Sequence, residues 1–446
     1  LRKDIAAISD KYGNNGYALV SVAPDLIPDE ATRETKVIYH IDEGDRFRIG
    51  RIEVAGNTKT RDKVIRREVR VDEGDYYNAS ALKRSYERLN NLQYFESVDL
   101  SPKPRPEEKV VDLDVTVKEK PTGFISVGGG YSSVDHFIAM ADITQGNLFG
   151  KGQLVKVKGE LGGASSYYEL SFRDPWFLDK QLSFGASLYN TEREYGDFSR
   201  KAFGGELSLG KSFMEYWGAS VAYSFEKATI FDVDPNASNI VKDQEGTRTT
   251  SAISLSLGRD TRDNYLDPTR GSKNAVYMTF AGLGGSNAFI KGVMETSWYF
   301  PVFDVTTVHL RGIAGFATGI FGKELPLYER FYVGGINTVR GIEYGKGGPL
   351  DPNTNEAYGG EKELVLNAEY IFPILPEYKF KGLVFFDAGR AYDANETFGS
   401  DLRYTAGAGI RWVSPMGPIR IEWGYNLDKR AGEGSNKVEF AFGSFF

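Results

Sequence analysis

The 446-residue sequence predicts a mostly β protein: a transmembrane antiparallel β-barrel of about sixteen strands preceded by small α/β modules. Three observations predict it. Composition breaks near Lys120: residues 1–120 hold 45 charged residues, 6 glycines and no tryptophan, whereas residues 121–446 hold 70, 45 and all five tryptophans. The first part repeats itself. The second part alternates with period two, its charges opposite an aromatic-rich face.

Residues 46–120 read as one complete module in the order strand, helix, helix, strand, strand. "FRIGRIEV" alternates as a strand, and "NTKTRDKVIRREV" carries a threonine cap signal with apolar Val64, Ile65 and Val69. "NASALKRSYERLNNL" predicts a helix capped at Ser80, with Leu82, Tyr86 and Leu89 on one face. "YFESVDLSP" and "VVDLDVTV" follow as strands. Residues 1–45 repeat the second half of that unit: "SDKYGNNGYALVSV" parallels "YERLNNLQYFESV", and "KVIYHIDEGD" parallels "VVDLDVTVKEK". The opening "LRKDIAAISDKYG" reads as an amphipathic helix starting mid-domain, so a processed or truncated chain is expected. The edge of such a three-stranded sheet could accept an extended peptide by strand addition.

Residues 121–446 read as the barrel. In "WGASVAYSFE" one face carries Trp217, Ala219, Val221, Tyr223 and Phe225; the other carries Gly218, Ser220, Ala222, Ser224 and Glu226. "AISLSLG", "VKVKGE" and "PIRIEWGYN" alternate likewise, the last setting Ile419, Ile421 and Trp423 against Arg420, Glu422 and Gly424. A soluble sandwich turns its polar face outward. Charges facing a wet lumen and aromatics facing lipid fit a membrane barrel, with strand-end clusters such as "DPWFL", "SWYFPVF" and "IRWVSP" as interfacial girdles.

Composition narrows the function. With no cysteine there is no thiolate nucleophile or sulfur metal site, and His40, His136 and His309 lie too far apart for ligand spacing. A net charge of −7 argues against nucleic acid. No Ser–His–Asp set converges, so no enzyme and no cofactor are expected. "GELSLGKS" matches a phosphate loop in letters, but Phe203 to Leu209 continue a strand and no helix follows. Asp260, Asp263 and Asp267 in "GRDTRDNYLDPTRG" read as a strand–turn–strand junction rather than a calcium or hydrolytic site.

The stretches "IGRIEVAGNTKTRD…LNNLQYFESVDL", "DTRDNYLDPTRG", "FYVGGINTVRG" and "VFFDAG", with a terminal Phe446, together resemble the BamA-type outer-membrane assembly factors. The resemblance covers essentially the whole chain. It implies a sixteen-stranded barrel in the bacterial outer membrane preceded by periplasmic POTRA modules, folding and inserting other barrels without nucleotide. It divides the chain into half a POTRA module (1–45), a complete one (46–120) and the barrel (121–446). It also implies that the loop around Arg340 and Gly341 folds into the lumen, where Arg340 meets an acidic residue of the Phe385–Asp387–Gly389 motif. A guanidinium held inside a barrel needs a carboxylate, and a bidentate pair supplies charge and orientation; Glu369 is a second candidate partner. Ile342 departs from the family, where an aromatic is usual, and Tyr344 is the candidate substitute.

A barrel closes by pairing its first and last strands. The first, "TGFISVGGGYSS", carries Gly128, Gly129 and Gly130; the last, "KVEFAFGSFF", places Phe440, Phe442 and Phe446 on one face with Gly443 near its end. Glycines either relieve crowding at bends or weaken the pairing. A weak seam would let an incoming strand pair with the exposed edge. The partners implied are unfolded outer-membrane β-barrel proteins, accessory periplasmic lipoproteins and outer-membrane lipid. A two-partner-type secretion pore and other assembly factors of the same superfamily are the alternatives.

Overall fold

The computed structural model describes residues 1–29, 34–132, 136–264, 267–303, 305–414, 417–430 and 432–442. They form two compact units: residues 1–124 with 145–154, and residues 125–144 with 155–446.

In the first unit, helix Arg2–Gly13 precedes an antiparallel pair, Ser21–Asp29 with Glu34–Asp42. A second set follows: strand Arg48–Ala55, helices Asp62–Arg66 and Ala79–Asn91, then strands Phe95–Arg105 and Val110–Glu119. The last strand is central, parallel to the first and antiparallel to the second. Its alternation fills the core: Val111, Leu113 and Val115 are fully buried, the latter two in one cluster with Ile49, Ile65 and Leu89. Burying such side chains contributes roughly 1.5–3 kcal/mol each.

Three local expectations are corrected. The long helix is capped by Asn78, whose extended backbone lets its carboxamide oxygen accept from the Ala81 N–H, and not by Ser80. Arg61, not a threonine, occupies the cap of the short helix. The buried face of the long helix holds Leu82, Ser85 and Leu89, while Tyr86 is exposed. Ser85 replaces it because its hydroxyl satisfies two backbone groups, donating to the Ala81 carbonyl and accepting from the Arg70 N–H.

The second part of the chain builds a barrel of sixteen antiparallel strands, from Gly123–Ser132 to Asn436–Phe442. Neighbours in sequence are neighbours in the wall, as short turns require. The faces are inverted relative to a soluble protein. Val221, Tyr223 and Phe225 are exposed on one strand and Ile253, Leu255 and Leu257 on the next. On the fifteenth strand, Gly417–Asn426, Ile421 and Trp423 point out while Glu422 is fully buried. With charge inside and hydrocarbon outside, lipid is the solvent this surface fits. Gly205–Ser212 lies wholly within strand Ser199–Phe213, so the phosphate-loop match is sequence coincidence.

Candidate functional site: a loop locked into the lumen

The connection between strands Thr306–Gly319 and Lys362–Leu375 folds into the barrel. Val333, Val339 and Ile342 of the loop pack against Ile313, Val365 and Ala391 of the wall, all buried. Gly341 adopts φ +87°, a conformation that costs side-chain-bearing residues. It lies so close to the fifteenth strand that a Cβ on Gly424 would sit 2.6 Å from the Gly341 nitrogen. The two glycines let one backbone lie on the other.

That approach delivers Arg340, which is 2% exposed. Its Nε and Nη2 donate to the two oxygens of Asp387 at 2.8 and 2.6 Å, a fork-on-fork pair, and its backbone N–H donates to Oδ2 at 3.1 Å. The remaining Nη1 reaches Glu369 at 2.6 Å and Glu422 at 2.7 Å. The guanidinium lies 3.6 Å over the Phe385 ring, so that phenylalanine contributes a cation–π face as well as packing. Asp387 also accepts from Asn367, its register partner on the twelfth strand, which ties a second amide proton to the Thr338 carbonyl of the loop.

The site is larger than the sequence reading. Glu422, Arg411 and Arg420 belong to it: Arg411 donates to Glu369 at 2.6 and 2.9 Å and to Glu422 at 2.8 Å, and Arg420 holds Glu422 at 3.0 Å and the Ile336 carbonyl of the loop. His309 Nδ1 lies 2.9 Å from Glu369, its ring stacked on Tyr299. A signal for Glu422 and Arg420 was present in "PIRIEWGYN", which puts both on the lumen face; buried charges on one face must find partners. Tyr344 does not replace the usual aromatic. It stacks on Tyr332, and Ile342 itself fills the buried apolar position.

The first and last strands meet at two register pairs among the described residues, Ala441 with Ser132 and Phe442 with Tyr131. By contrast, Ser199–Phe213 and its neighbour share fifteen. The Phe440 and Tyr131 rings stack at 4.8 Å. Phe442 enters through its backbone pairing alone, and Gly443 and Phe446 lie outside the described residues. Gly128, Gly129 and Gly130 all sit in the first strand; a Cβ on Gly128 would meet the Met140 side chain at 2.8 Å, so this one also relieves crowding.

The aspartates of "GRDTRDNYLDPTRG" are occupied by partners, two of them within the stretch and one from the thirteenth strand. Asp260 pairs with Arg262, Asp267 with Lys381, and Asp263 accepts from Thr269 and the Arg270 N–H. Burial works against the Asp263 charge, but these hydrogen bonds outweigh it and hold the carboxyl at about 2. Among the described residues no acidic or histidine cluster has metal-site geometry.

A profile described as "Surface antigen variable number repeat", the POTRA repeat, matches residues 47–120, and the Omp85 superfamily domain matches residues 147–446. The chain is 34% identical, over its whole length, to the outer membrane protein assembly factor BamA of Nitratidesulfovibrio vulgaris, covering 57% of that protein. It is 30% identical to BamA of Neorickettsia risticii, covering 61%. The chain thus spans about three-fifths of the curated relatives it matches. The crystal structure of BamA from Haemophilus ducreyi lacking POTRA domains 1–3 shares its fold with TM-score 0.80 at 22% identity, over 99% of this chain and 93% of that one. Barrel and repeat agree with these likenesses, and the chain belongs to the BamA-type Omp85 family.

Proposed function

We propose that this chain is the membrane-embedded part of a factor that folds and inserts β-barrel proteins into the bacterial outer membrane, acting as an assembly factor rather than an enzyme. Its substrates are unfolded outer-membrane β-barrel proteins, and accessory periplasmic lipoproteins are its partners in a BAM-type complex. Residues 1–45 are the C-terminal half of one POTRA module, 46–120 a complete second, and 121–446 the barrel. One observation carries the reading: a wall joined by long ladders elsewhere meets at two register pairs, among the described residues, at its first and last strands. An edge so thinly paired offers unsatisfied N–H and C=O groups to an incoming strand. Each strand added templates the next, and the substrate's own folding in the bilayer drives the process. The Arg340 lock holds the loop in the lumen while the wall is worked on.

The test is reconstitution in liposomes with a urea-denatured barrel substrate, the folded fraction being followed by gel mobility. The chain carrying Tyr131→Cys and Phe442→Cys, oxidised to join the seam, is expected to lose its acceleration and regain it on reduction. Full acceleration with the seam covalently joined overturns the proposal. No acceleration by the parent chain, with its upstream modules restored, overturns it as well.

A further inference from the structure

On the last strand, Glu439 is 1% exposed and stands in register directly opposite Glu422. The two carboxylates are provisioned unequally. Glu422 is held by three guanidiniums, those of Arg340, Arg411 and Arg420. Glu439 has no lysine or arginine nitrogen within salt-bridge distance among the described residues. What faces it is the backbone N–H of Gly341, short of full hydrogen-bond geometry. The positive groups that act on it are Lys437, two residues back on its own strand and beyond salt-bridge distance, and from the loop the Gly341 amide and Arg340, which pairs with Glu422 opposite. Around this point three arginines and Lys437 face four carboxylates, Asp387, Glu369, Glu422 and Glu439, and the three arginines cluster on the first three.

We propose that Glu439 is a positioning residue that couples the seat of the loop to the pairing of the last strand. With the loop seated, the Arg340 charge and the Gly341 amide offset the two facing carboxylates. With the loop withdrawn, Glu422 keeps Arg411 and Arg420, Glu439 keeps only the more distant Lys437, and like charges stand directly opposite across the joint between the fifteenth and last strands. Opposed residues of an antiparallel pair lie ~5 Å apart at Cβ, and like charges there are destabilising. From Asn436 to Phe440 that joint is the one ladder holding the last strand among the described residues, because both seam pairs lie beyond, at Ala441 and Phe442. Loop withdrawal thus loosens the strand that borders the seam.

The coupling stands apart from the insertion reading, because its test uses no substrate. Amide exchange over residues 436–442 is measured by mass spectrometry on the full chain in liposomes. Arg340→Ala is expected to speed exchange by about tenfold, an effect of the size that opposed unit charges produce at a partly screened site. Adding Glu439→Gln to Arg340→Ala is expected to return exchange to within about twofold of the parent, since the repulsion is gone although the lock is still broken. Should Arg340→Ala fail to fold, Arg340→Gln keeps hydrogen bonding to Asp387 without the charge and serves in its place. Equal exchange in the single and double variants overturns the proposal, as does an unchanged rate when Arg340 is replaced.

Discussion

Asp387 accepts three hydrogen bonds from Arg340, two from the guanidinium and one from the backbone N–H of the same residue. A carboxylate that grips both ends of one residue fixes the side chain and also the path of the chain through it. Lysine cannot reproduce this, since a point charge offers no fork. The lock therefore specifies where the loop runs as well as where its charge goes.

Breaking it exposes buried charge on both sides. Arg340→Ala leaves Asp387 and Glu369 short of a partner, and a destabilisation of roughly 3–5 kcal/mol is expected. The midpoint of urea unfolding, read by gel mobility of the barrel in detergent, measures it. Arg340→Ala combined with Asp387→Ala is expected to cost less than the two singles together, because the second change removes the orphaned carboxylate. Additive losses would mean that the two side chains act independently.

The contact between Gly341 and Gly424 admits no side chain, since a Cβ on Gly424 would sit 2.6 Å from the Gly341 nitrogen. Gly424→Val is expected to lift the loop while leaving the wall intact. The chain has no cysteine, so Val339→Cys, at a position fully buried in the parent, gives a clean reporter. Maleimide should label it at least tenfold faster when Gly424→Val is present, a change corresponding to about 1.4 kcal/mol. Unchanged labelling would show that the loop does not depend on this approach.

Glu119 makes an acid-sensitive joint in the POTRA repeat matched at residues 47–120. Its carboxylate accepts from the backbone N–H groups of Thr58, Lys59 and Thr60 and from the Thr58 hydroxyl. Burial raises its pKa, but hydrogen bonds from Thr60, Thr58 and Lys59 outweigh that and bring it to about 2 from an ordinary value of 4.5. A lowered folded value means that the stabilisation is complete above about 4.5 and disappears as pH falls toward 2. Glu119→Gln should speed amide exchange at residues 58–60 by about tenfold at pH 7, in keeping with the loss of one charge-assisted bond or more. It should also flatten the acid dependence of the protection factors. A parent and variant with the same acid profile would rule out Glu119 as its source.

Much of the architecture can be read from periodicity. Val111, Leu113 and Val115 alternate in sequence and are buried in the module; Ile421 and Trp423 alternate with Glu422 and divide between lipid and lumen. Where the reading slipped, the deciding interaction was not one of hydrophobicity. Ser85 displaced Tyr86 from the buried face because its hydroxyl serves two backbone groups. Asn78 displaced Ser80 as cap through its backbone conformation. Arg340 and Asp387 entered through motif resemblance, and Glu369 as a second carboxylate the guanidinium could meet. Glu422, 82 positions from Arg340, and Arg411 joined them only through curvature, which closes the twelfth to fifteenth strands around the loop. Sequence can put a charge on the lumen face, but the partner across the lumen is a property of the closed ring.

Mechanically, on the proposed reading, a ring of sixteen strands whose first and last members share two register pairs among the described residues behaves as a hoop with a soft segment there. Any outward load, whether thermal or transmitted from a bilayer under tension, is carried equally by every joint and yields at the softest. If the chain works as proposed, opening then needs no directed push. Its location is built into the wall, and an undirected disturbance is turned into displacement at one place.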